Sequence, residues 1–71
     1  MDDGTALDDV RLRRELHRLE QDHRDLDAAI DAMLSSGTAD AMQIRRLKKR
    51  KLHLRDRIQT VRDALLPDII A

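Results

Sequence analysis

The sequence predicts an all-α protein: two long helices folded back on each other as an antiparallel, coiled-coil-like hairpin. Three observations carry this. No residue is aromatic and only two are glycine, while 39% are charged and 41% apolar. That composition suits a long helix or coiled coil and argues against a barrel, a sandwich or a nucleotide-binding sheet. Apolar residues recur at alternating steps of three and four in both halves of the chain, the heptad spacing of helices that pack against a partner. Between the halves stands one turn signal, Ser35-Ser36-Gly37-Thr38.

Seventy-one residues make a single domain. Residues 1–4 are expected to fray. Thr5 and Asp8 have the spacing of a capping box, with Asp in place of the usual Glu. The first helix is expected over about residues 6–35. Its seam is Leu12, Leu16, Leu19, His23, Leu26, Ile30 and Met33, with His23 at an a position.

The turn is expected over residues 36–38. Gly37 suits the left-handed position just past a helix end, where a Cβ is costly. The Thr38 hydroxyl is placed to cap a second helix, with Asp40 in its first turn against the helix dipole. Stop and start signals are adjacent, so the connection is short and the helices run antiparallel. The second helix is expected over about 39–66, with the seam Ile44, Leu47, Lys51, Leu54, Ile58, Val61 and Leu65. Pro67 ends it, and residues 67–71 form a short tail that includes Ile69 and Ile70.

The two seams fold onto each other in one register. Met33 meets Ile44, Ile30 meets Leu47, Leu26 meets Lys51 and His23 meets Leu54. Leu19 then meets Ile58, Leu16 meets Val61 and Leu12 meets Leu65. Each layer pairs an a with a d residue, and the centre of the register falls inside the turn. Flanking charges follow it: Asp27 is expected beside Lys48, Glu20 beside Arg55 and Asp22 beside Arg57. One flanking pair, Arg13 with Arg62, is like-charged. These pairs absorb much of a charge asymmetry between the halves. Residues 1–36 carry ten acidic and five basic side chains, a net −5, and residues 37–71 carry four and nine, a net +5.

With no cysteine, neither a disulfide nor a thiolate metal site is available. Met1-Asp2-Asp3 is acidic, and no apolar run has the length of a membrane span, so the cytoplasm is the expected location. The loudest local feature is Arg45-Arg46-Leu47-Lys48-Lys49-Arg50-Lys51. Arg45, Arg46, Lys49 and Arg50 are its members not engaged by the seam or its flanking pairs, and they are the candidate nucleic-acid contacts. The alternative, a solvated coiled-coil face, is favoured because no aromatic residue is present to stack on a base. Glu20 and His23 have the Glu-x-x-His spacing of bundle metal sites. Glu20, however, flanks the seam and His23 faces Leu54, so neither a metal nor any other cofactor is expected. His23 and Lys51 instead form a polar seam that selects register or oligomeric state, with the Lys51 ammonium reaching towards Asp27 or Asp22. No nucleophile stands near a base and there is no glycine-rich phosphate loop. The chain is therefore expected not to be an enzyme.

A hairpin of this size, without disulfide or metal, is short of core and expected to self-associate. The larger apolar residues outside the seams include Val10, Leu34, Leu52 and Leu66. Val10, Leu52 and Leu66 are b positions and Leu34 is an e position, which places all four on one side. That side is expected to join two hairpins as a homodimeric four-helix bundle, with Leu52 near its centre. The functional expectation is a small protein–protein interaction or scaffolding module, whose partner is not written in the sequence. The alternative is nucleic-acid binding by the second helix.

The run from Leu19 to Ile30, with Glu20, His23, Leu26 and Asp27, precedes a second run from Leu47 to Ile58, with Lys48, Lys49, Lys51, Leu52, Leu54 and Asp56. Together they resemble the YdcH-like family of short bacterial proteins, a domain of unknown function. Asp22 stands where that family more usually has Glu, and Arg55 where it has Lys; both keep the charge. The resemblance implies a helical hairpin in a bacterial cytoplasm. It implies no reaction, ligand or partner.

Overall fold

The computed structural model describes the backbone of residues 3–38 and 40–65, and the side chains of residues 7–38 and 40–65. Two helices are present, α1 (Asp3–Ser36) and α2 (Ala41–Leu65), packed along each other as an antiparallel hairpin. Ala39, Leu66, Pro67 and the Ile69–Ile70 tail lie outside the described residues. The molecule measures 55 × 24 × 16 Å. At about 1.5 Å per residue, α1 accounts for the long dimension, and the short one is a single helix with its side chains. The protein is therefore one helix thick, and each helix has one neighbour.

Burial follows the heptads. Every seam residue of both helices is buried or half-buried. Ile30, Ile44, Ile58 and Val61 form the buried core, and no side chain among the described residues is completely enclosed. The core falls into two apolar blocks. Ile30 and Ile44 lie near the turn, Ile58 and Val61 lie beyond the middle, and the half-buried His23 and Lys51 stand between them.

The ends of the helices differ from expectation in detail. α1 begins at Asp3, so residues 3 and 4 are helical and Thr5 lies inside the helix rather than at its cap. At its other end Ser36 Oγ donates to the carbonyl of Met33 (2.9 Å), and the Thr38 hydroxyl lies 2.9 Å from the same oxygen. Thr38 is thus tied back to α1 and does not cap α2. The cap is Asp40, whose Oδ1 accepts from the Met42 N–H at 3.0 Å. Its carbonyl accepts the first helical bond of α2, from the Ile44 N–H at 3.0 Å. A carboxylate at this position satisfies an orphan donor and also meets the positive end of the dipole. Gly37 has φ 73°, and a Cβ built there would meet nothing within 4 Å. The glycine therefore supplies a left-handed backbone rather than space.

Candidate interaction surfaces

Among the described residues three ion pairs tie α1 to α2, and they are not the three flanking pairs that the register suggests. Lys51 Nζ donates to Asp27 Oδ1 at 2.6 Å, in place of Lys48. Arg57 donates to Glu15 Oε2 through Nη2 (2.8 Å) and Nε (3.2 Å), rather than to Asp22. Arg62 Nη2 donates to Glu20 Oε2 at 2.7 Å, where Arg55 was expected. Reach explains the change. The two arginine pairs are displaced along the axis from the level register by roughly five residues, or about 7.5 Å at about 1.5 Å per residue, in opposite directions. A long guanidinium stem spans that offset and prefers the longer Glu to Asp. Arg62 is thereby drawn towards Glu20 and away from its like-charged neighbour Arg13. The displacements cancel, so the seam register itself is unmoved.

The polar waist has a defined chemistry. The stem of Lys51 lies in the seam and its ammonium emerges on the e side to meet Asp27, as snorkelling requires. The hydrogen bond from Lys51 holds the Asp27 carboxyl below its ordinary range, and the charge of Lys51 acts in the same sense. Slight desolvation opposes them and His23 adds a small lowering. The carboxylate is thus worth more to the folded than to the unfolded chain. That contribution is complete above the ordinary carboxylate range and fades as pH falls through the lowered folded value. Asp27→Asn removes it. The variant should show a shallower loss of thermal stability than the parent between about pH 5 and pH 2, as read by circular dichroism melts. Parallel slopes would show that the pair does not couple to folding.

His23 makes no hydrogen bond with a described side chain, and Glu20 is committed to Arg62. Among the described residues no group of three His, Asp or Glu side chains is gathered as metal ligands. The basic residues Arg45, Arg46, Lys49 and Arg50 are all exposed on α2. No described helix is long and apolar enough to cross a membrane.

Among the described residues the exposed large apolar ones are Leu7, Val10, Leu34, Met42 and Leu52. Around a heptad the positions run a, e, b, f, c, g, d. Val10 and Leu52 are b, Leu34 is e, and Leu7 and Met42 are f. In an antiparallel pair the e and b positions of both helices lie on one side, whereas f stands opposite the seam and points away from the other helix. Val10, Leu34 and Leu52 therefore share one face, Leu7 and Met42 stand on the two outer edges of the hairpin, and the c/g face has none of the five. Leu66 lies outside the described residues. Leu7 and Met42 were not picked out from the sequence. The signal was present, since both are large apolar residues outside the seam, but a reading confined to the two sides of the seam passes over its outer edges.

No curated protein and no solved structure matches the chain. A family model does, over residues 16–62, well over half of the chain, and its description is "Protein of unknown function (DUF465)". The matched stretch runs from the seam residue Leu16 through the turn to Arg62, and so contains the waist and all but one end of the interhelical ion-pair set. The chain belongs to the DUF465 family.

Proposed function

We propose that this protein is a non-catalytic protein–protein interaction or scaffolding module that works as a homodimer in the bacterial cytoplasm. The observation that carries the reading is the placement of the exposed Val10, Leu34 and Leu52 on one face of a slab one helix thick. Aligned apolar residues of this kind mark a contact surface. A hairpin with no completely enclosed side chain among the described residues gains a second layer by covering that face. The resemblance to the YdcH-like family accords with a short bacterial helical hairpin.

Light scattering tests this. The parent protein should have the mass of a dimer. Leu34→Glu, on the apolar face, should reduce the mass towards that of a monomer, whereas Ala32→Glu, an exposed c position on the other face, should not. A monomeric parent at millimolar concentration, or a Leu34→Glu variant with unchanged mass, removes the reading. The competing reading is phosphate contact by Arg45, Arg46, Lys49 and Arg50. The same preparations should fail to shift duplex DNA or RNA, whereas binding that weakens steeply with salt and vanishes when the four become Ala would favour the competitor.

A further inference from the structure

The e and b positions of α1 form a second line along the helix, separate from the seam. Val10, His17, Arg24 and Asp31 are its b members. Arg13, Glu20, Asp27 and Leu34 are its e members. Their steps alternate three and four, so the line has the geometry of a seam although most of its residues are charged. Its outer ends are apolar: Val10 is 49% and Leu34 54% exposed.

The line is complementary to itself when reversed. Laid antiparallel on a second copy, b against e, it brings Val10 to Leu34 and Arg13 to Asp31. The next layers bring His17 to Asp27 and Glu20 to Arg24. A two-fold axis at the level of Asp22 repeats every contact, as an isologous interface requires. No layer opposes like charges. Sliding by one heptad in one direction sets Arg13 against Arg24, and in the other sets Glu20 against Asp31. The charges therefore select one register, which is their main use in helix pairing.

The residues have bonding capacity for this. Asp27 uses Oδ1 on Lys51 and Glu20 uses Oε2 on Arg62, which leaves each a second carboxylate oxygen. Arg13 and Asp31 are exposed and make no ion pair with a described residue.

The other pairings on this face are worse. The b/e line of α2 is Arg45, Lys48, Leu52, Arg55, Gln59 and Arg62, and reversing it on a second copy, b against e, sets Arg45 against Arg62. Placing α1 against α2 of the second copy, b against e at level register, sets Arg24 against Arg55 and His17 against Arg62.

We infer that two copies of this chain dock through the e/b line of α1, antiparallel, with Val10 of each at Leu34 of the other. This rests on the self-association proposed above and adds its symmetry and register. The α1 helices form the axis of the dimer, and Leu52 lies at its flank instead of its centre.

The chain has no cysteine, so single cysteines report the geometry directly. Val10→Cys and Leu34→Cys proteins are mixed and oxidised. The mixture should give disulfide-linked dimers, while either protein alone stays mostly uncrosslinked. Within one chain the two positions lie on a single helix about 36 Å apart at about 1.5 Å per residue, so no internal disulfide competes. A second arm uses charge. Arg13→Glu should weaken the dimer at least about tenfold, and adding Asp31→Arg should restore it to within about threefold, because the reversed pair is again complementary. Crosslinking of Val10→Cys alone as fast as the mixture would show parallel pairing and overturn the inference. So would a dimeric parent whose mixture does not crosslink and whose double variant shows no rescue; self-association would then stand on another surface. A monomeric parent would overturn both.

Discussion

Ile30→Ala should lower stability by about 2–5 kcal/mol, the range for emptying a well-packed aliphatic site. Ile30 is only 3% exposed. It forms one apolar block with Ile44. At about 4–8 °C per kcal/mol for a domain of this size, the melting temperature should fall by about 8 °C or more. Lys49→Ala, an exposed f position on α2, should stay within about 0.5 kcal/mol of the parent. Thermal melts at one fixed protein concentration make the comparison fair, because a self-associating protein melts higher when concentrated. Equal melting of the two variants would mean that the heptad seam is not the core.

His23→Leu should move stability the other way. His23 is a half-buried a position facing the apolar Leu54 across the register, with no hydrogen-bonded side chain to compensate its desolvation. A leucine there joins the two apolar blocks into one, and should add about 1 kcal/mol or more. The expected rise in melting temperature is about 5 °C, with the mass unchanged or less well defined. Saturating zinc should leave the parent's melting temperature where it was. A fall on substitution, or a large zinc-dependent rise in the parent, would give His23 a role that a seam residue does not have.

The seams and the turn were legible because periodicity and conformation are local. A heptad can be counted, and Gly37 is placed where only a left-handed backbone fits. The cap was legible too, since Asp40 with Gln43 three residues on is a helix-start signature. It was passed over because Thr38 also fits a cap. What separates them is that Thr38 places its hydroxyl against Ser36, 2.9 Å away. The reach of Lys51 to Asp27 was legible from its place in the seam, but the two arginine pairs were not, because heptad letters give the level of a residue and not the reach of its side chain. Glu15 and Arg57 are paired by stem length across a gap that the register alone leaves empty. Function was less legible still. A polar and apolar face on a heptad fits many partners, and the DUF465 family description adds no reaction or ligand.

The polar waist has a kinetic consequence. Closing the turn brings Met33 and Ile44 together across a very short loop, which costs little chain entropy, whereas Leu12 and Leu65 meet only across most of the chain. Folding therefore zips outward from Gly37, and the hairpin belongs with the fast, low-contact-order folders. The zipper has a built-in pause. Once the Ile30–Ile44 block is closed, the next layers carry Lys51 and His23 and gain little apolar burial. Only the Ile58–Val61 block rewards the step beyond. The same pause works in reverse: the open end can detach back to the waist as one unit while the turn-proximal block holds. Amide exchange protection should then descend in a step at the waist, with each block behaving as its own cooperative unit.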